Sequence, residues 1–236
     1  MNKRIKKRKL NFKRILFFIL LIYILCYSIF YILNQRIRHI DIDGNKIVSD
    51  NEIIKLAKLD NYPSIFRYSS NKLEKDIKSH KLINDVEVKK KLGFIIDIDI
   101  EENKLLFYYL NEEKIVLSNG DIIKNNINEV LGIPTLINKP DSNLLIKFIN
   151  YFKDIKEDII YEIDTIEYYP TINKNGKIID KDLYKLIMND GNTIITNSKN
   201  VNLLNKYNDI YASLSDRKGI INLNSGEVNN LVFIPY

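Results

Sequence analysis

HIDIDGNKIVSDNEI, residues 39–53, decides the reading of the region around it. Ile40 and Ile42 alternate with His39, Asp41 and Asp43, the period of a half-buried strand, and Gly44-Asn45 stops it. Ser49-Asp50-Asn51-Glu52 is a capping box, and Ile53, Leu56 and Ala57 give the helix behind it an apolar face. Downstream, Ser69-Ser70 opens a second helix carrying Leu73 and Ile77, and Val86 and Val88 start a strand. Lys90-Lys91-Leu92-Gly93 turns the chain, and Phe94, Ile96, Ile98 and Ile100 then alternate with Asp97, Asp99 and Glu101. One hairpin register sets Lys89 opposite Asp97, a mildly stabilising pair. The order β-α-α-β-β predicts a small α+β domain over 37–103, with helices on one sheet face.

Upstream, Ile15 to Leu33 is a 19-residue run without a charge. As a helix it rises about 28 Å, close to the ~30 Å hydrocarbon core of a bilayer. The run is too long for a signal peptide and ends Tyr31-Ile32-Leu33-Asn34-Gln35, without a small-residue cleavage site, so an uncleaved anchor over 15–33 is expected. Residues 1–14 hold Lys3, Arg4, Lys6, Lys7, Arg8, Lys9, Lys13 and Arg14 and no acid, whereas Arg36, Arg38 and Lys46 follow the run among Asp41, Asp43 and Asp50. The basic tail is therefore expected in the cytoplasm and the rest outside it. Tyr23, Tyr27 and Tyr31 recur on one helix face, suited to lipid or to a partner helix. Cys26 reads as a small apolar residue.

From 104 to 236 strands dominate. Leu105–Leu110, Ile115–Leu117, Ile122-Ile123, Ile163–Tyr169, Leu183–Met188, Thr193–Thr196, Ile220–Leu223 and Leu231–Ile234 read as strands, with hairpin turns at Asn119-Gly120 and Asn189-Asp190-Gly191. Two amphipathic helices are predicted, one through Leu145, Phe148, Ile149, Phe152, Ile155 and Ile159, the other through Leu203, Leu204, Tyr207, Ile210, Tyr211 and Leu214.

Composition narrows function. The chain of 236 residues is 45% hydrophobic and 28% charged, which excludes wholesale disorder. Its net charge of +6 resides in the tail; without those residues 28 basic face 30 acidic side chains, and no nucleic-acid-binding surface is implied. One Cys excludes intramolecular disulfides. His39 and His80 lack metal-ligand spacing, no GxSxG or GxxxxGK[ST] occurs, and Asn173-Lys174-Asn175-Gly176-Lys177 reads as a turn. The acidic residues of the strands fall on their solvated phase. No catalytic residue, metal, cofactor or small-molecule substrate is expected.

Several local patterns resemble the FtsQ/DivIB family of bacterial cell-division proteins. Ile40–Asn45 with Val48–Ile53 is similar to the opening of that family's POTRA domain, and Leu82–Val88 and Ile96–Glu102 to its closing strands. In the second region Leu117–Ile122, Gly132–Leu136, Asp190-Gly191-Asn192 and Gly219–Leu223 are similar to family landmarks. Leu92-Gly93-Phe94, Lys104 and Asn222 depart from the usual Pro-containing turn, Pro and Asp. The resemblance implies a non-enzymatic scaffold of the septum that joins FtsL-type and FtsB/DivIC-type coiled-coil proteins and helps control septal peptidoglycan synthesis. It places the partner strand at Ile220-Ile221-Asn222-Leu223-Asn224, with Glu227, Tyr211 and Tyr236 as rim contacts. A POTRA-bearing transport or secretion component is the alternative, and a membrane-anchored hydrolase a remoter one. The charge asymmetry makes a topology prediction: protease added to wall-stripped cells digests the end at Tyr236 and spares Lys3. Protection of the C-terminal region is the opposite result.

Overall fold

The computed structural model describes residues 11–109, 113–127, 131–215, 217–224 and 232–236. The chain is α+β and divides into two compact units, Met1–Glu101 and Glu102–Tyr236. Residues 1–10 of the basic tail lie outside the described residues.

Helix α1, Phe12–Leu33, has no buried residue and is the one helix among the described residues long and apolar enough to cross a membrane. It begins before the uncharged run and takes in Lys13 and Arg14, whose long stems can carry their charges to the interface. Its other end is closed by side chains: Asn34 Nδ2 donates to Phe30 O at 2.9 Å and Gln35 Nε2 to Tyr31 O at 3.2 Å. Phe30 O also accepts from Asn34 N at 3.2 Å, so the Asn34 side chain adds a second bond at a carbonyl of the last turn.

The rest of the first unit is β1 (His39–Asp43), α2 (Asp50–Leu56), α3 (Ser70–Ile77), β2 (Ile83–Lys91) and β3 (Ile95–Glu102), with sheet order β1-β3-β2. Both helices start as read: Ser49 Oγ accepts from Glu52 N and Ser69 Oγ from Lys72 N, each at 3.3 Å. Ile53, Ala57, Leu73 and Ile77 turn inward onto Val86, Val88, Ile96, Ile98 and Ile100, all buried. β1 runs parallel to β3, His39 beside Ile95 and Asp43 beside Asp99.

Across the β2–β3 hairpin Lys91 Nζ lies 2.7 Å from Asp97 and Lys89 Nζ 3.6 Å from Asp99, so the ion pair of Asp97 is made with Lys91. Gly93 (φ +89°) and Phe94 (φ +65°), both left-handed, form the turn.

The second unit contains β4 (Leu105–Tyr109), β5 (Lys114–Leu117), β6 (Ile122–Lys124), β7 (Thr135–Ile137), α4 (Ser142–Phe152), α5 (Glu157–Tyr161), β8 (Ile163–Tyr168), β9 (Thr171–Ile172), β10 (Ile178–Asp180), β11 (Tyr184–Met188), β12 (Thr193–Thr196), a 3-10 helix (Val201–Lys206), α6 (Tyr207–Ser213), β13 (Gly219–Asn222) and β14 (Val232–Pro235). Among the described residues nine strands form one sheet, ordered β14-β13-β12-β11-β8-β7-β4-β5-β6, and β9 and β10 form a separate ribbon. α4 buries Leu144, Leu145, Phe148, Ile149 and Phe152. Its Phe148 stacks on Tyr184 of β11 at 4.1 Å, and Phe152 meets Phe107 of β4 edge-on at 5.9 Å.

Each predicted helical run in this unit is interrupted. The first breaks into α4 and α5, where Lys104 Nζ donates to Lys153 O and Ile155 O, both at 3.3 Å, and Asn205 Nδ2 to Asp154 O at 3.1 Å. A cation on the last carbonyls of α4 favours a stop there. The second run is a 3-10 turn leading into α6.

Gly44 (φ +87°) ends β1 against the backbone of β3, and a Cβ there meets Ile100 O at 2.1 Å. Gly44→Ala is expected to destabilise the first unit by more than about 2 kcal/mol, read as a lowered unfolding midpoint of the detergent-solubilised chain. An unchanged midpoint contradicts this account of the β1 end.

Candidate partner-binding edge

β13 is paired on both sides. It runs parallel to β12, with Thr193 beside Ile220, Ile194 beside Ile221 and Ile195 beside Asn222, and antiparallel to β14, from Gly219 beside Pro235 to Asn222 beside Val232. Ile221 and Leu223 are each 1% exposed. Ile220–Asn222 is thus an interior strand, and among the described residues the sheet ends one strand further out, at β14. The sequence concealed this because Val232–Pro235 returns to the sheet only after residues 225–231. Those residues, Glu227 among them, lie outside the described residues. One signal was present: Pro235, a residue tolerated at sheet edges and poorly elsewhere.

The pairing tells which backbone groups of β14 point outward. Tyr236 N donates to Lys218 O at 3.1 Å, so the alternation of an antiparallel ladder turns Val232 and Ile234 toward β13. Phe233 presents its N–H and C=O to the open side, and Pro235 presents only its C=O. The side chains of Val232 and Ile234 are half exposed on one face. On the other face Phe233 lies under the Arg217 guanidinium, 5.4 Å from its ring centroid, and against Gly219. A Cβ on Gly219 meets Ile234 O at 2.3 Å, so glycine is what lets β14 approach β13.

The two tyrosines expected at the rim serve the frame of this edge. Tyr236 Oη donates to Thr193 Oγ1 at 2.7 Å. Tyr211 accepts from Lys218 Nζ at 3.1 Å, and its ring lies 4.7 Å from that ammonium. Asn224 accepts from Asn197 Nδ2 at 2.5 Å, and Asn200 Nδ2 donates to Leu223 O and Asn224 O. The end of β13 is thereby tied to the loop after β12.

Sequence reasoning gave Asn192 as a landmark without a role; it is the centre of the frame and fully buried. Its Nδ2 donates to Asp190 Oδ2 at 3.0 Å and to Tyr207 Oη at 3.1 Å, and its Oδ1 accepts from Gly219 N at 3.0 Å. Tyr207 Oη donates to Asp190 Oδ2 at 2.6 Å. Burial raises the Asp190 carboxyl, but hydrogen bonds from Tyr207 and Asn192, with Lys218 nearby, outweigh burial and hold it below the usual 3.8. A depressed folded value means stabilisation present above pH 3.8 and lost as the pH falls through that lower value. Burial, then Asp190, pushes the Tyr207 phenol up, so it remains a donor at neutral pH.

No group of three His, Cys, Asp or Glu side chains is placed to hold a metal among the described residues. His39 Nε2 meets Asp41 at 2.9 Å and His80 Nε2 meets Glu52 at 3.4 Å, while His80 Nδ1 accepts from Leu82 N. Both histidines thus serve local structure. For the buried network, Asn192→Ala is expected to cost about 2–3 kcal/mol and Tyr207→Phe about 1–2 kcal/mol in urea unfolding at neutral pH. The Tyr207→Phe deficit narrows in acid as Asp190 protonates; a deficit independent of pH contradicts the linkage.

Comparison with known proteins follows the same lines. A sequence profile of the POTRA domain, FtsQ-type, matches residues 35–103. The cell division protein DivIB of Bacillus subtilis (strain 168) is 29% identical over 225 residues, covering 92% of this chain and 83% of that protein. DivIB of Bacillus anthracis is 28% identical over 204 residues, 84% of this chain and 75% of the relative. The solved major extracytoplasmic domain of DivIB from Geobacillus stearothermophilus aligns at a TM-score of 0.38 and 19% identity, over 49% of this chain and 96% of that one. With the profile on the first unit and relatives running along most of both units, this chain is similar to the DivIB cell-division proteins over most of its length.

Proposed function

We propose that this chain is a non-enzymatic scaffold of the division machinery that binds FtsB/DivIC-type and FtsL-type coiled-coil membrane proteins and helps control septal peptidoglycan synthesis. The observation that carries it is the edge at β14, an apolar strand paired to β13 on one side and, among the described residues, unpaired on the other. Such an edge is an aggregation hazard unless a partner covers it. Adding a strand supplies the missing main-chain bonds, and the side chains of Val232 and Ile234 supply selectivity. Residues 1–14 are then a cytoplasmic tail, 15–33 the single membrane pass, 37–103 the POTRA-like domain and 104–236 the partner-binding domain, the last two outside the membrane at the septum. In this reading Ile220–Asn224, Tyr211 and Tyr236 hold the edge strand in place.

The test is capture of a DivIC-type partner by the full chain in detergent, with circular dichroism of each variant. Phe233→Pro removes the one outward donor, and Ile234→Asp alters the exposed face without touching the backbone. Each is expected to weaken binding at least about tenfold, or about 1.4 kcal/mol, while remaining folded. Ile221→Pro, in an interior strand, is expected to lose structure as well. Unchanged capture by folded Phe233→Pro rules out strand addition at β14.

A further inference from the structure

The end of the first unit nearest α1 carries three exposed apolar side chains that its core does not use. Leu92 is 99% exposed, Phe66 50% and Tyr62 44%. They come from two separate loops, and the backbone brings both loops to the same end as the membrane helix.

The first loop is bonded to the helix end itself. Ser64 Oγ donates to Leu33 O at 2.5 Å, Ile65 N to Gln35 O at 3.2 Å and Ile37 N to Pro63 O at 3.0 Å, and Arg36 bridges to Ser64. Tyr62 and Phe66 flank this seam. The second loop is placed by topology. β1 leaves the membrane end and β3 runs parallel to it, so β3 starts where β1 starts, and Arg38 N donates to Phe94 O at 2.9 Å. The β2–β3 turn with Leu92 therefore lies at that end. Lys90 Nζ joins the two loops by donating to Ile65 O at 2.6 Å and Tyr68 O at 2.5 Å.

A helix of 22 residues is about 33 Å long, so the close of α1 lies at the boundary between hydrocarbon and headgroups. Whatever is hydrogen-bonded to Leu33 O lies in that zone too. Arg36, Arg38 and Arg67 are exposed at the same end, with Asp60 as the acid on the loop. The Arg38 and Arg67 guanidiniums lie 5.5 and 5.4 Å from the ring centroids of Phe94 and Tyr68. Aromatic and aliphatic tips with arginines around them match the chemistry of an anionic lipid interface, where such rings settle and each basic residue adds attraction.

We propose that Tyr62, Phe66 and Leu92, ringed by Arg36, Arg38 and Arg67, form a second membrane contact that seats this unit on anionic phospholipid at the leaflet where α1 ends. With the span alone the unit follows α1 as the helix tilts and turns in the bilayer. Two apolar loops dipping into the interface on one side of the span remove that freedom.

The chain has no tryptophan, so one substitution creates a single reporter. Phe66→Trp and Leu92→Trp probe the two loops, and Asn84→Trp probes the opposite end of β2. The full chain is reconstituted into vesicles of equal parts phosphatidylcholine and phosphatidylglycerol, with bromine on the acyl chains near the headgroup or deep in the bilayer. Trp at 66 and at 92 is expected to emit further to the blue than Trp at 84, and to lose most of its intensity to shallow bromine and less to deep. Trp at 84 keeps its intensity in both. Since Leu92 lies wholly outside the core, its variant reports even if a change at Phe66 disturbs the loop. If Trp at 66 and 92 emits like Trp at 84 and neither bromolipid quenches it, the contact does not form and the proposal is overturned.

Discussion

A turn, a helix and a strand start meet at the side chain of Asn192, and the far end of the large sheet is built on that meeting. β12 and β13 are parallel neighbours, so the chain leaves the end of β12, passes through the 3-10 turn and α6, and comes back to the start of β12. Nothing local aligns a strand after such a crossover. The Asn192 amide does so by accepting from Gly219 N, the first residue of β13, while donating to Tyr207 at the head of α6. Asp190 closes the set by accepting from both. Each member is buried or half buried, so losing one leaves the others desolvated and unpaired, which makes the set cooperative.

From that alignment follows the edge. Gly219 starts β13, β14 lies against it at a separation only glycine allows, and Phe233 is held between Gly219 and Arg217. The last described strand of the sheet is thus backed by a buried polar network. Both histidines are engaged locally, His39 with Asp41 and His80 with Glu52.

Much of the first unit was legible because its determinants are local. Ser49 and Ser69 cap helices within three residues of themselves, and the alternation of Ile96, Ile98 and Ile100 marks the core face of β3 directly. The ion-pair partners across β2 and β3 were not: Asp97 meets Lys91 and Asp99 meets Lys89, a choice made by side-chain reach in the folded hairpin. In the second unit the pattern identified strands but not their neighbours. The order β14-β13-β12-β11-β8-β7-β4-β5-β6 joins segments far apart in sequence, and no residue type announces such partners. Lys104 is instructive here. As a sequence it stands as a departure from the usual Pro; as a structure it closes the end of α4.

Pro235 has a consequence for whatever strand docks on β14. Within Val232–Pro235 the open side offers two carbonyls, of Phe233 and Pro235, and a single N–H, of Phe233. The edge is therefore acceptor-rich. An incoming strand must give two hydrogen bonds for each one it receives, so proline facing either carbonyl is excluded from it, while proline elsewhere is tolerated. The imbalance also gives the groove a direction, because the two ends of the edge are not equivalent. A segment that slides by one residue exchanges donors for acceptors and meets an unmatched carbonyl, so the backbone itself selects a register before any side chain is read.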